Sequence, residues 1–283
     1  MSSKGRAYFR LIETKEGYSV VKASVETLHG RVSGCFYVDT GSSTSLIVDA
    51  FTDDTGKREK IVGLAGSSSN TTEVEISFRI EGVKYHDVFH SVNEDCLPLC
   101  SEDCVLGILG CDFLTSHKMV VDYRTHCVYC ASTEDEMKED RVDTSFIPLL
   151  SKIQLPLIRV QLNGKQFLAL IDSGSAKNII SHKAALYIGF NGSSIGDTSV
   201  ISGLEGDLKT FSVAIRFKIP KGLQRREALS FSEDFDVLLN EGKLLSLRNG
   251  ELSIDIVLGN QFLNKHQCLI DLDEHTIIMN PVC

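Results

Sequence analysis

Apolar residues occur along this chain in short runs, separated by turns rich in Gly, Asn, Asp and Ser. In two segments every second residue is apolar: Val74, Ile76, Phe78 and Ile80, and later Phe211, Val213, Ile215 and Phe217. A period of two predicts β-strands that bury one face. The segments after Gly110 and Gly259 each predict one short helix, and 181–188 is a further candidate. The chain is therefore predicted to be mainly β.

Two of the apolar runs end in the same short motif. Asp39-Thr40-Gly41-Ser42 follows the run 35–38, and Asp172-Ser173-Gly174-Ser175 follows the run 168–171. A tight turn is predicted before each run, at 28–31 and 162–165, so a hairpin leads into each Asp motif. One such motif would be an ordinary turn, because Asp and Gly mark turns in all folds. Two motifs in equivalent contexts indicate a pair of carboxylates.

The repeat continues beyond the Asp motifs. Two Gly-x-x-Gly segments are predicted as the tips of exposed hairpins: Gly63-Leu64-Ala65-Gly66 and Gly203-Leu204-Glu205-Gly206. Further on, 108–114 matches 257–263, and the match extends to three pairs of residues: His117 with His266, Asp122 with Asp271, and His126 with His275. This ordered repeat predicts two copies of one fold, each of ordinary domain size.

A polar, acidic segment separates the two copies. Its composition is typical of a linker, which we place at 131–144, between a first domain at 1–130 and a second at 145–283. We interpret the repeated His residues as partly buried structural residues. Asp122 and Asp271, which have no Gly after them, are interpreted as residues that anchor turns.

Composition narrows the class of protein. The chain has 283 residues, is 42% hydrophobic and carries a net charge of −9, which predicts a globular protein and argues against nucleic-acid binding. The first ten residues contain no apolar signal core, and no run reaches the roughly 20 apolar residues that a membrane span needs. We therefore expect a soluble protein of the cytoplasm with no membrane partner.

The nine cysteines are an odd number, and Cys96, Cys100 and Cys104 cluster. Zinc sites favour Cys pairs two to four residues apart, so a metal site is one interpretation of this cluster. The second copy has no counterpart, however, and reduced thiols are ordinary in a cytosolic protein. We favour that interpretation, and predict neither a metal nor a cofactor.

Paired carboxylates have a specific chemistry. Two Asp side chains about 3 Å apart cannot both ionise, so they share one proton and serve as acid and base on one water. Together with the Gly-rich hairpins and the short helix after a Gly, the two Asp-Thr/Ser-Gly motifs resemble the retropepsin-like aspartic proteases. In that family two identical chains each supply one Asp motif. This sequence resembles a retropepsin dimer fused into one chain, over residues 6–130 and 145–281.

The resemblance implies two β-barrel lobes related by a pseudo-twofold axis, with one short helix per lobe. It implies that Asp39 and Asp172 form the catalytic dyad of an aspartic endopeptidase that cleaves extended peptide segments. Thr40 and Ser173 would hydrogen-bond across the interface, Gly41 and Gly174 would leave room for substrate, and the Gly-x-x-Gly tips would close over the peptide as flaps. The partner would be a peptide or protein substrate, and the chain would act as a monomeric pseudo-dimer.

Several positions differ from the retroviral pattern. Cys111 and Asn260 stand where retroviral members often carry Arg, and Ser42 and Ser175 stand where many have Ala. We expect the hydroxyls of Ser42 and Ser175 to donate to the ionised carboxylate, which would lower its pKa. Candidates for the strands that associate the lobes are 9–12 and 276–279. The alternative function is a catalytically silent module of this fold that binds peptides or a partner protein.

Overall fold

The computed structural model describes residues 8–52, 58–62, 68–97, 104–130, 141–143, 155–190, 198–203, 206–220, 228–238, 245–247 and 252–279. In the first half the strands are β1 (Tyr8–Arg10), β2 (Ile12–Glu13), β3 (Ser19–Thr27), β4 (Gly30–Val38), β5 (Leu46–Val48), β6 (Arg58–Val62), β7 (Ser68–Ile80), β8 (Val83–Val92), β9 (Val105–Leu109), β10 (Met119–Asp122), β11 (Cys127–Cys130) and β12 (Arg141–Asp143). The helix α1 spans Cys111–Ser116.

The second half has a similar order of elements. Its strands are β13 (Leu157–Leu162), β14 (Lys165–Ile171), β15 (Ile179–Ile180), β16 (Thr198–Gly203), β17 (Gly206–Pro220), β18 (Ala228–Leu238), β19 (Leu245–Leu247), β20 (Leu252–Ile254), β21 (Ile256–Leu258), β22 (Leu269–Asp271) and β23 (Thr276–Ile278). Its helices are α2 (His182–Tyr187) and α3 (Asn260–Lys265). The mainly β class predicted from the sequence is confirmed.

Each half closes a six-stranded barrel. In the first barrel the order is β3-β4-β9-β5-β8-β7, and pairing of β7 with β3 closes it. In the second barrel the order is β13-β14-β21-β15-β18-β17, and pairing of β17 with β13 closes it. In both barrels the strand before the Asp motif runs parallel to a neighbour, β4 beside β9 and β14 beside β21. The two barrels therefore repeat one strand order.

The alternation predicted from the sequence lies in the barrel strands β7 and β17. Its apolar residues are buried or, at Val74 and Val213, partly buried, whereas the residues between them in β17 are exposed. The predicted turn between β13 and β14 is present, with Asn163 at φ 45° and Gly164 at φ 79°. Positive φ at both central residues is typical of the two-residue turns that join antiparallel strands.

A third sheet joins the two halves, in the order β1-β11-β10-β22-β23-β12. Its central contact is the antiparallel pair β10–β22, in which Val121 lies opposite Ile270. The segments 9–12 and 276–279, which we expected to associate the two halves, contribute β1 and β23 to this sheet. Both segments therefore lie in the sheet that joins the halves, but β1 pairs with β11 of its own half, and the central pairing between the halves is made by β10 and β22.

The resemblance implied one short helix per lobe, whereas the second half has two α-helices among its described residues. The first of these, α2, lies at 181–188, the further candidate given by the sequence. The Ser181 hydroxyl caps it by accepting a hydrogen bond from the Ala184 amide at 3.1 Å, and Ala184 and Ala185 are buried. In addition, the last residues of the predicted linker form β12, which pairs with β23.

Candidate active site

The two Asp motifs lie at the ends of matching strands. Asp39 follows β4 and Asp172 follows β14. The backbone amide of Asp39 donates to the Leu109 carbonyl and that of Asp172 to the Leu258 carbonyl, each at 3.0 Å. Since Leu109 and Leu258 end the parallel neighbours β9 and β21, the same local structure holds each Asp at the same point of its barrel.

Hydrogen bonds between Thr40 and Ser173 lock the two motifs together. The Thr40 hydroxyl donates to the Ile171 carbonyl at 2.9 Å, and the Ser173 hydroxyl donates to the Val38 carbonyl at 2.7 Å. Each hydroxyl also accepts the other residue's backbone amide, at 2.9 and 3.0 Å. Thr40 and Ser173 are fully buried, so these four bonds are shielded from water. The contact expected between these residues is present.

The two carboxyl groups meet at the centre of this contact. Asp172 is 2% exposed, whereas Asp39 is partly exposed, and the two side chains hydrogen-bond to each other. Burial raises the pKa of Asp39, although hydrogen bonds from Asp172 and from the Gly41 and Ser42 amides act in the opposite direction. Burial, followed by the charge of Asp39, raises the pKa of Asp172 well above its usual range. Both pKa values are raised, so the two carboxyls share one proton as a pair.

The two glycines of the motifs make this approach possible. A Cβ atom on Gly41 would collide with the Asp172 carboxyl, and one on Gly174 would collide with the Asp39 carboxyl. The Gly41 amide donates to Asp39 Oδ1 at 2.8 Å, and the Gly174 amide donates to Asp172 Oδ1 at 2.9 Å. Glycine is needed here because only a residue without a side chain leaves space for the opposite carboxyl group.

The serines after the glycines do not act as expected. The Ser42 hydroxyl donates to the Thr44 carbonyl at 2.7 Å, and the Ser175 hydroxyl donates to the Lys177 carbonyl at 2.9 Å. Both hydroxyls are thus used in local turns, as is common for Ser. The Ser42 backbone amide, in contrast, does contact the dyad, because it donates to Asp39 Oδ1 at 3.0 Å. The prediction that the hydroxyls lower the pKa of the dyad was wrong.

Ser45, Asp112 and Asn178 form hydrogen bonds next to the Asp motifs, and none of them was identified from the sequence. The Ser45 hydroxyl accepts the Gly110 amide at 3.0 Å and donates to Asp112 Oδ1 at 2.5 Å. At the matching place in the second barrel, Asn178 Oδ1 accepts the Gly259 amide at 3.1 Å. Different side chains therefore anchor the Gly before each short helix. The signal available in the sequence was a polar residue shortly after each Asp motif.

Two of the repeated histidines are structural, as interpreted from the sequence. His117 Nε2 lies 2.9 Å from Asp87 Oδ2, and both side chains are about a third exposed. His266 Nε2 lies 2.7 Å from Glu233 Oε1, and both side chains are buried. Each pair ties a barrel strand to the end of a short helix, outside the Asp motifs.

The other two histidines differ from their expected burial. His126 and His275 are exposed residues of turns, at φ 50° and φ 55°.

The interpretation of Asp122 and Asp271 as turn anchors is confirmed. Asp122 Oδ1 accepts the Arg124 amide at 2.9 Å, and Asp271 Oδ1 accepts the Glu274 amide at 3.0 Å.

The predicted flaps are described in part. Strands β6 and β7 form an antiparallel hairpin, but Gly63, Leu64, Ala65 and Gly66 lie outside the described residues. Strands β16 and β17 form the second hairpin, with Gly203 paired to Gly206, and Leu204 and Glu205 also lie outside. Hairpins therefore occur where both tips were predicted.

Within the described part of the chain, the residues outside the Asp motifs form no other candidate catalytic cluster. No disulfide joins the described cysteines, and no three His, Cys, Asp or Glu side chains there are grouped to hold a metal ion. Cys96 and Cys104 are described, but Cys100 is not. A groove of about 880 Å³ lies on the second barrel, lined in part by Arg216, Lys218 and Glu233. Its lining residues do not include the Asp motifs.

Comparison of the sequence with protein-family models and with curated proteins finds no match. Among the described residues, no helix has the length and apolar composition required to cross a membrane. Function is therefore inferred from the geometry of the paired Asp motifs.

Proposed function

We propose that this protein is an aspartic endopeptidase, built as a single-chain counterpart of a retropepsin dimer with a pseudo-twofold axis between Asp39 and Asp172. The observation that carries the proposal is the contact between the two carboxyl groups. They lie at the ends of matching strands, hydrogen-bond to each other, and are held together by the Thr40 and Ser173 bonds. Bringing two carboxyls into contact costs folding free energy, because one of them must take up a proton, so a purely structural role would be destabilising.

The proposed reaction uses the two carboxyls in different roles. Asp39, which is ionised, takes a proton from a water molecule as the water oxygen attacks the carbonyl carbon of the scissile peptide bond. Asp172, which carries the shared proton, donates it to the carbonyl oxygen. The gem-diol intermediate then collapses: its C–N bond breaks, the nitrogen takes a proton from Asp39, and Asp172 recovers the hydroxyl proton. This is general acid–base catalysis with no covalent intermediate.

Two hairpins support an extended peptide as the substrate. Strands β6 and β16 pair with the barrel strands β7 and β17, so the hairpins β6–β7 and β16–β17 occupy equivalent positions in the two sheets. An extended peptide binds as an added strand, with its backbone bonds giving affinity and alternate side-chain pockets giving selectivity. Closure of the hairpin tips would exclude water from the reacting bond.

The test is incubation of the purified protein with a peptide library between pH 3 and pH 8, with mass spectrometry to detect new termini. We expect internal cleavage that pepstatin, an inhibitor of the aspartic protease class, suppresses. Peptide binding without cleavage at any of these pH values would overturn the proposal and favour the silent binding module.

A further inference from the structure

The two short helices that support the Asp motifs begin with different residues. Cys111 begins α1 and Asn260 begins α3, each directly after a Gly. Asn260 is 1% exposed. A buried side-chain amide is costly unless its hydrogen bonds are satisfied, so its partners show what it does.

All of the hydrogen-bonding capacity of Asn260 is used. Its Nδ2 donates to the Ser173 carbonyl at 2.9 Å and to the Gly17 carbonyl at 3.0 Å. Its Oδ1 accepts from the Ser19 hydroxyl at 2.9 Å and from the Tyr123 hydroxyl at 2.5 Å. An amide offers two donor hydrogens and two acceptor lone pairs, and each has a partner here.

These partners link the two halves of the chain. Gly17 precedes β3 of the first barrel, Ser19 is the first residue of that strand, and Tyr123 follows β10 of the first half. Ser173 lies next to Asp172 in the second Asp motif. Asn260 therefore connects the turn that carries Asp172 to three points of the first half.

At the matching position of the first motif, a thiol takes the place of this amide. The Cys111 thiol donates to the Thr40 carbonyl at 3.1 Å. Burial, followed by the charges of Asp39, Asp112 and Asp172, raises the pKa of this thiol well above its usual range, so it remains a neutral donor. A thiol is a weak donor and cannot span two carbonyl groups. One weak thiol bond thus supports the turn of Asp39, whereas a buried amide with four hydrogen bonds supports the turn of Asp172.

We propose that Asn260 is a positioning residue for the dyad, which holds the turn of Asp172, Ser173 and Gly174 against the first half of the chain. This inference rests on the proposed protease function. The amide fixes the Ser173 carbonyl, and the adjacent Gly174 amide donates to Asp172 Oδ1. The orientation of the Asp172 carboxyl towards Asp39 thus depends on Asn260, although Asn260 does not touch the substrate.

The kinetic test replaces Asn260 with the residue of the other half. In Asn260→Cys the thiol reaches the Ser173 carbonyl at most, so the bonds to Gly17, Ser19 and Tyr123 are lost. We expect kcat to fall by about 10- to 100-fold, because small misplacements of catalytic groups have effects of this size. KM should change by less than about twofold, since Asn260 does not contact the peptide.

Two further variants keep the test decisive if Asn260→Cys folds poorly. Tyr123→Phe removes a single donor to Asn260 Oδ1 and should lower kcat by about three- to tenfold, again with little change in KM. Asn264→Ala is the matched control on the same helix. It removes an exposed bond to Glu13 at 3.2 Å and should leave both constants unchanged.

A second readout requires no turnover. The aspartate carboxyl carbons, labelled with ¹³C, report the titration of the dyad by NMR, with Asp172→Asn providing the assignment. The other titratable groups that face Asp172 are Asp39, Tyr18, Cys111 and Tyr123. The hydrogen bond from the Gly174 amide stabilises the ionised form of Asp172. Loss of Asn260 weakens that bond, so the upper titration of the pair should move to higher pH.

The outcomes separate the inference from the proposed function. If the wild-type protein cleaves no peptide, the proposed function fails, and the titration still decides whether Asn260 orients the Asp172 carboxyl. If Asn260→Cys and Tyr123→Phe are folded and retain wild-type kcat and titration, Asn260 only fills space and the inference is overturned.

Discussion

At the scale of single residues, the two carboxyls of the dyad have the same motif but different surroundings. Each carboxyl accepts backbone amides of its own motif, Asp39 from Gly41 and Ser42, and Asp172 from Gly174. Asp39 is partly exposed, whereas Asp172 is buried and faces the charge of Asp39. A pair in which one group holds the proton and the other is ionised is the state that acid–base catalysis requires.

This asymmetry predicts a pH-dependent stability difference for Asp172→Asn. The pKa of Asp172 is raised well above its unfolded value of 3.8, so the folded protein keeps a proton that the unfolded chain releases. Wild-type stability is then lost as the pH rises from about 4 to the raised pKa, at about 1.4 kcal/mol for each pH unit in that interval. Asn resembles the protonated acid and does not titrate. Thermal melts should show similar stability at pH 3 and a more stable variant at pH 7.

A constant stability difference between pH 3 and pH 7 would contradict the raised pKa of Asp172. Asp271→Asn is a suitable comparison, because burial also raises the pKa of Asp271, which lies outside the dyad and is less deeply buried. Its effect should have the same sign and a smaller size.

The serines of the motifs lead to a second prediction at this scale. Their hydroxyls donate to the Thr44 and Lys177 carbonyls. The hydrogen bonds to the carboxyls come from backbone amides instead. The double variant Ser42→Ala, Ser175→Ala should therefore keep both limbs of the pH–rate profile at their wild-type positions. Movement of the acid limb by about one pH unit, which corresponds to one hydrogen bond to a charged group, would show that the hydroxyls reach the dyad in solution.

At the scale of elements, the sequence predicted the strands that end in the Asp motifs and the turns before them. These features depend on local patterns: an apolar run, a turn residue and a Gly. The sequence did not predict that β10 and β22 join the halves, because pairing between strands that are distant in the chain produces no local sequence pattern. The orientation of the Ser42 and Ser175 hydroxyls was also missed, since a serine in a turn can donate to several acceptors.

The histidine pairs give a matched prediction at this scale. Glu233 of β18 is 2% exposed as a side chain and contacts both His266 and Lys265. Asp87 of β8, at the corresponding place in the first barrel, is 31% exposed. Removing one partner of a buried pair costs about 3–5 kcal/mol, whereas a solvent-exposed pair contributes about 0–1 kcal/mol. Denaturant unfolding should therefore show a large loss for Glu233→Ala and a small loss for Asp87→Ala.

Equal losses for the two variants would contradict this assignment, because they would mean that the two pairs are equally exposed to solvent. Lys84→Ala provides a surface control, since its contact with Glu26 at 3.7 Å is exposed and should contribute little.

At the scale of the whole molecule, the site exists only because two barrels of one chain face each other. The internal repeat indicated this arrangement, because each copy contains one Asp motif. The sequence did not reveal how unequally the copies support their motifs, with Cys111 on one side and Asn260 on the other. That difference depends on buried contacts between segments that are far apart in the chain.

A single chain should therefore be the active species. Sedimentation should give a monomer of 31.2 kDa, and specific activity should be unchanged on dilution, since no subunit has to associate. Activity that falls with dilution in parallel with a dimer-to-monomer transition would show that the site forms between chains.

In the proposed mechanism, Asp39 and Asp172 act together on one water molecule. The most direct measurement is the rate of cleavage of one good peptide by the wild-type protein, Asp39→Asn and Asp172→Asn, with folding of each variant verified by thermal melting. We predict that each substitution alone lowers kcat by about 10²- to 10⁴-fold, the usual contribution of a general acid or base. Either variant retaining near wild-type kcat while folded would contradict a shared dyad.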